Sequence, residues 1–456
     1  MPRRGSPVAM PALFALLAAA STSHAALPGY EISVGAIESD NIERVPQGGK
    51  HDTVLEQQLR LTWHDERPRL DADIDADLSH LTYVPRIFAD QVIGNLIGSA
   101  KVGLVPQVLF WDISDNFGQG VTDPLAAVTP QNRENINYFT TGPELLMQVG
   151  GDNFLHVRGT YGKTSYQRSQ LDANRFGAGL GFIHRLSSVV DVSLNLNGER
   201  NNYAYDNLFP DFSTQEAFVH VDAKGSRTTL GADLGYGRIE TSSSDVNGVV
   251  TPSSSHGSVT ARLQATRKLS ASSTLSMSAG REYSDAAAAF QVAQVLSGAN
   301  LGTQQTVQTN GPFTMVYETV GWNWARGRST LGITASHFKD TYVETAGLDD
   351  TRAEIDLNAS RRLSPTVQVS LLEQYLRQVF TNVAGNSTVS TTDARLAWQP
   401  SRRITVSFDY MFSRRSSEVR STDYRENTVW LSIGYGRPAE IPPGVPAPPM
   451  AHPTTY

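Results

Sequence analysis

From Leu70 to Leu78 the chain reads Leu-Asp-Ala-Asp-Ile-Asp-Ala-Asp-Leu, apolar and acidic residues trading places at every step. A period of two belongs to an extended strand, whose successive side chains point to opposite faces. A helix would scatter these carboxylates around its circumference, so the segment calls for a sheet with one greasy and one wet face. The grammar recurs. Leu55, Leu59, Leu61 and Trp63 alternate with Glu56, Gln58, Arg60 and Thr62. Val190, Val192, Leu194 and Leu196 alternate with Asp191, Ser193, Asn195 and Asn197. Ile404, Val406, Phe408, Tyr410 and Phe412 oppose Thr405, Ser407 and Asp409.

The connections between such segments are of two kinds. Short turns fall at Glu66-Arg67-Pro68, Val105-Pro106, Gly150-Gly151-Asp152-Asn153, Ser187-Ser188, Lys224-Gly225-Ser226, Ser270-Ala271-Ser272, Arg326-Gly327-Arg328, Ser364-Pro365 and Gln399-Pro400-Ser401. These residue types supply the preset angles or backbone freedom that turns need. Longer polar stretches alternate with them, among them 39–51, 83–97, 117–135, 205–213, 242–255 and 287–311. Nine turns and ten loops make 19 connections and hence 20 strands, or 18 if the weakly patterned pair 98–104 and 107–116 fails.

Many greasy-and-wet strands have two homes: a sandwich or solenoid with apolar faces inward, or a closed barrel in a bilayer with apolar faces outward. Strands long enough for a tilted bilayer crossing, and connections of two unequal lengths, favour the barrel. The expected fold is therefore all-β, a transmembrane up-and-down antiparallel β-barrel with a polar lumen, long outer loops and short periplasmic turns. Trp63, Tyr83, Tyr138, Phe139, Tyr161, Tyr166, Tyr203, Tyr205, Trp322, Trp324, Tyr342 and Tyr424 fall near strand ends, where an interfacial girdle would place them.

Composition removes the competitors. With no cysteine there is no disulfide scaffold, Cys-ligated metal, thiol nucleophile or lipoprotein anchor. The 39 aromatics are more than a disordered chain carries. Arg3 and Arg4, the apolar run Pro11 to Ala20 and Ser23-His24-Ala25 form a three-part secretory leader, so residues 1–25 are expected to be cleaved. The remainder has 36 basic against 45 acidic residues, which gives no electrostatic case for nucleic acid. The barrel is expected over 26–436, and residues 437–456 form a Pro-rich periplasmic tail.

Barrel parity nominates lumen residues. Asp71, Asp73, Asp75 and Asp77 share one strand face at about 6.6–7 Å spacing, too far apart for a tightly shared proton. They form a cation-attracting wall, a calcium site, or a solvated face neutralised by arginines such as Arg60. Arg352, Glu354, Asp356, Asn358, Ser360 and Arg362 form a second polar face of mixed sign, able to cross-link strands and shape a transverse field. Arg262 with Gln264, and Asn195 with Asn197, face the same way.

With this pattern, the chain resembles the β-barrel porins of Gram-negative bacteria. More narrowly, it resembles the outer-membrane barrels encoded beside exosortase/PEP-CTERM and exopolysaccharide gene clusters. The resemblance rests on Asn132-Arg133-Glu134-Asn135 leading into Tyr138-Phe139-Thr140-Thr141-Gly142-Pro143, on Leu171-Asp172-Ala173-Asn174-Arg175, and on the turns Arg185-Leu186-Ser187 and Arg362-Leu363-Ser364-Pro365. It runs from about residue 29 to 436 and implies a role in transporting, or supporting secretion of, polysaccharide. The implied surroundings are outer-membrane lipid, a polar solute or polysaccharide, and periplasmic secretion components; no cofactor is implied.

Other chemistry is sparse. Gly177-Ala178-Gly179-Leu180-Gly181 has Phe182 where a dinucleotide loop needs its third glycine. His256-Gly257-Ser258 places His and Ser on one strand face, the spacing of an outer-membrane phospholipase dyad, with no orienting third residue assignable. Asp285 to Ala299 reads as a short helix in a long loop, either narrowing the pore or capping the rim. The cap is favoured because a segment crossing an interior must satisfy its backbone groups.

Overall fold

The computed structural model describes residues 28–205, 210–246, 249–297, 311–343 and 349–437. The expected leader and residues 438–456 of the expected tail lie outside them. The strands are β1 (Gly29–Ser39), β2 (Asp52–Arg67), β3 (Leu70–Tyr83), β4 (Gln91–Val105), β5 (Leu109–Val121), β6 (Arg133–Gly150), β7 (Asn153–Tyr166), β8 (Ala173–Ser187), β9 (Val190–Tyr203), β10 (Phe212–Lys224), β11 (Thr228–Thr241), β12 (Ser244–Val246), β13 (Val249–Thr251), β14 (Ser254–Ser270), β15 (Ser273–Ser284), β16 (Phe313–Arg326), β17 (Ser329–Tyr342), β18 (Asp350–Ser364), β19 (Val367–Phe380), β20 (Ser387–Ser401), β21 (Ile404–Ser417) and β22 (Tyr424–Arg437). One helix, α1 (Ala286–Ser297), follows β15. The pair β12–β13 is a small hairpin within a loop. The other 20 strands form one antiparallel sheet in chain order, and β22 pairs with β1 from Tyr30↔Arg437 to Ser39↔Thr428. The sheet is thereby a closed barrel, which leaves no strand edge unpaired.

The nine turns and ten loops fall where the sequence puts them, with shifts at weak points. The last turn falls on Arg402 and Arg403, because β20 continues through Pro400 to Ser401. β4 begins at Gln91 within the expected loop 83–97, and β5 runs on to Val121. Gly94 interrupts the β4 pattern with φ +144°, in the left-handed range that favours glycine.

The loop side has its own recurring device. Asp90, Asp172, Asp211, Asp349, Asn386 and Asp423 each precede a strand, and each side chain accepts the backbone N–H of the residue ending the previous one (Tyr83, Tyr166, Tyr203, Tyr342, Phe380 and Ser417). Short Asx side chains favour such local backbone bonds. They close six loops with chemistry the alternation pattern does not report.

Pairing register assigns every strand residue to a face. Leu194, Leu234 and Leu431 point outward and are 58%, 65% and 57% exposed, as expected of side chains that would meet lipid. On the inner face Ser33, Gln58 and Asp409 are buried. The aromatic girdle is corrected. Tyr83, Tyr138, Tyr166, Tyr203, Tyr342 and Tyr424 are buried on the inner face at the loop-side end, whereas Tyr161, Trp322 and Trp324 point outward. The inner rings have the parity of the wet face: Tyr83 stands an even number of residues from Asp77.

The inward rings belong to a packed loop-side mouth. Ile42, from the loop after β1, and Phe88, from the loop after β3, pack with Ile37, Val54, Leu81, Tyr83, Met411 and Trp430. The loop 122–132 is held by arginines from other parts of the ring: Arg44, after β1, donates to the Val128 carbonyl at 2.6 Å, and Arg415, on β21, donates to the carbonyls of Ala126 at 2.7 Å and Leu125 at 3.0 Å. The third element is α1. It does not cap the rim; Phe290 packs among Ile136, Tyr166, Ala173 and Tyr203, inside the wall. The backbone objection fails because a helix satisfies its own interior hydrogen bonds.

Candidate functional site

The barrel interior is the candidate site, and every strand of the 20-stranded sheet contributes to it. Parity places Arg60, Asp71, Asp73, Asp75, Asp77, Asn195, Asn197, Arg262, Gln264, Arg352, Glu354, Asp356 and Arg362 on the inner face. They form separate groups around a wall too wide for one cluster.

Around β2 and β3, Arg60 pairs with Asp77 at 3.0 Å and with Glu31 on β1 at 3.6 Å. Gln58 donates to the other Asp77 oxygen at 2.6 Å, and Ser33 donates to Gln58 at 3.1 Å. The four-aspartate ladder is therefore split. Asp77 is buried and neutralised, while Asp71 and Asp73 are exposed toward the turn side and Asp75 is half-buried. Among the described residues no group of three acidic or histidine side chains could hold a metal ion, so the ladder's calcium reading finds no geometric support there.

Arg262 on β14 joins four strands. It donates to both oxygens of Glu216 at 2.6 and 2.7 Å, to Asp233 at 3.0 Å and to Glu282 at 2.6 Å, and its guanidinium lies 5.3 Å from the Phe218 ring centre. The planar fork and the ring beneath it suit arginine better than lysine. Arg352 on β18 pairs with Asp340 on β17 and with Asp350 at 3.3 Å, over the ring of Phe338. Glu354 and Asp356 are buried beside it on the same face. Arg395 on β20 pairs with Asp409 on β21 at 3.5 Å. Such pairs offset the cost of taking charge out of water only when well placed, and breaking one costs more than it contributes.

Asn195 and Asn197 lie over the glycine strip of β8. A Cβ on Gly181 would come within 2.6 Å of Asn195 Oδ1, and one on Gly179 within 2.8 Å of Asn197 Oδ1. The alternating glycines thus make room for amide side chains from the next strand, and they stand on a strand rather than at a phosphate-binding turn. Gln264 and Arg362 are exposed toward the turn-side opening. His256 and Ser258 also face inward, away from the face that lipid would contact, and among the described residues no hydrogen bond joins them.

Two unlike walls result. β2 to β7 carry the charged side chains Arg60, Asp71, Asp73, Lys101, Glu144 and Arg158 on their inner faces, Lys101 meeting Glu144 at 2.7 Å. Across the lumen, the turn-side halves of β14 to β19 present mainly hydroxyls and amides, among them Gln264, Ser276, Asn323, Thr334, Asn358 and Ser370. β4 and β16 are ten strands apart around the ring in either direction.

Sequence reasoning passed over Glu216, Asp233 and Glu282, the partners of Arg262. Each stands at inward parity, but strand order alone does not say which carboxylates meet one guanidinium. Nor did it bring Asp285, Arg175 and Asn201 together, because their meeting depends on where a loop helix docks.

No family model and no curated protein matches the chain. Among solved structures, the FrpB iron transporter from Neisseria meningitidis (F5-1 variant) is similar with TM-score 0.47 and 8% identity, over 90% of this chain and 83% of that one. The ferric citrate transporter FecA in its unliganded form has TM-score 0.45 and 10% identity, over 91% and 79%. OccK2 (OpdF) of Pseudomonas aeruginosa, in complex with glucuronate, has TM-score 0.35 and 9% identity, over 90% and 97%.

Proposed function

We propose that the chain is an outer-membrane barrel that gives polar solutes a water-filled path across the membrane. The observation that carries this reading is the division of faces: apolar side chains outward around the ring, ion pairs, hydroxyls and amides inward. That is the reverse of a water-soluble core and matches what lipid outside and water inside require. Within this reading the solute is an exported polysaccharide, and the tail meets periplasmic secretion partners. The hydroxyl-and-amide wall of β14 to β19 supports the first point, since neutral polar groups exchange hydrogen bonds with a sugar chain without holding it by charge.

A second reading, a non-conducting structural barrel of a secretion system, is favoured by the packed loop-side mouth. Planar-bilayer recording separates the two. The conduit reading expects discrete current steps in KCl; a folded, heat-modifiable barrel that stays silent at every applied voltage would leave the structural role.

A further inference from the structure

Asp285 joins the wall to the helix in its mouth. It follows Ser284, the last residue of β15, so no slack separates strand from helix. Its Oδ1 accepts the Ala288 N–H at 2.9 Å, the bond of a helix N-cap. Its Oδ2 accepts from the Arg175 guanidinium on β8 and from Asn201 Nδ2 on β9 at 3.0 Å. One carboxylate therefore caps the helix and ties it to strands four and five places away around the ring. Arg175 and Asp285 are each 5% exposed at their side chains, which makes the tie a desolvated ion pair.

Beyond the tie the helix touches two sets of wall side chains, Phe290 among Ile136, Tyr166 and Tyr203, and Ala289 with Val292 against Phe313, Met315 and Tyr342, through mostly small side chains. Ala286, Ala287 and Ala289 are buried, but a methyl group removes little apolar surface from water, and among the described side chains of the helix the larger ones on the wall are Phe290 and the half-buried Val292. The wall also keeps a partner of its own: Arg175 reaches Glu199 at 3.0 Å. If the helix left, that guanidinium would still face a carboxylate, now in lumen water.

We propose that α1 is an internal plug of the loop-side mouth and that Asp285 is its latch. The proposal rests on the conduit reading above. Asp285→Asn preserves a good N-cap and removes the charge from the tie. Open-state occupancy in planar bilayers should rise roughly tenfold, the effect of losing one charge-assisted hydrogen bond. Ala173 and Ala287 line the same small cavity between helix and wall. Because the chain has no cysteine, any intramolecular disulfide in the double variant Ala173→Cys/Ala287→Cys must join helix to wall. Oxidised, it should hold conductance at the plugged level, and reduction should restore wild-type behaviour. Replacing residues 286–297 with a glycine–serine linker should give steady high conductance.

If the Asp285→Asn, oxidised double-cysteine and linker proteins all fold and conduct like wild type, α1 is no plug. If the folded linker protein is silent, the conduit reading falls and the plug with it.

Discussion

Arg60 and Asp77 stand directly opposite one another on neighbouring strands, and their side chains close a 3.0 Å ion pair inside the lumen. Only 15% and 11% of the two side chains remain exposed. Arg60→Ala would leave Asp77 with Gln58 and only the more distant charge of Arg395, and we expect a loss of about 3 kcal/mol in unfolding free energy. The loop pair of Lys50 with Glu43 is just as short, at 2.8 Å, but Lys50 is 60% exposed. Lys50→Ala should cost under about 1 kcal/mol, because water screens that pair. Urea unfolding of both variants in lipid vesicles checks the contrast; equal losses would mean that the lumen is as wet around Arg60 as the outer loops are around Lys50.

The alternation that nominates Arg60 and Asp77 makes the barrel legible without coordinates, since parity alone sorts lipid side from lumen side along β3 and β9. It also contained the correction to the aromatic girdle. Tyr83 has the parity of Asp77, and reading it as outward followed a compositional habit of barrels over the chain's own period. Other features lay beyond parity. The inward docking of α1 depends on Asp285 finding Arg175, 110 residues away in the chain. The packing of Ile42 and Phe88 under the mouth depends on how two loops fold back, and loops carry no period to read.

Gly94 offers a test of the backbone. Its φ of +144° is unfavourable for any side chain, and an added Cβ would lie 2.0 Å from the Asp77 carbonyl oxygen. Gly94→Ala should destabilise the barrel by about 2 kcal/mol or more. Gly179→Ala meets only the tip of the Asn197 amide, which can swing into the lumen, so a small change is expected. Thermal unfolding in detergent checks both, and comparable losses would contradict the assigned backbone of β4.

Asp71 and Asp73 remain exposed on the inner face after Asp77 is neutralised. Carboxylates along a lumen raise the local cation concentration. On the conduit reading, the wild-type barrel should therefore favour K⁺ over Cl⁻ in a KCl gradient, and the triple variant Asp71→Asn/Asp73→Asn/Asp75→Asn should move the reversal potential toward zero. An unchanged potential would assign selectivity elsewhere in the lumen.

The central claim is that alternate residues of one strand meet lipid and lumen water. It is tested most directly by single-cysteine spin labels along β9, in a chain that has no cysteine of its own. In lipid vesicles, labels at Val192, Leu194 and Leu196 should collide preferentially with oxygen dissolved in the hydrocarbon. Labels at Ser193, Asn195 and Asn197 should collide preferentially with a water-soluble nickel chelate. Accessibility oscillating with a period of two, in that phase, is the predicted result. A flat profile, or the same oscillation with the phases exchanged, would contradict the account.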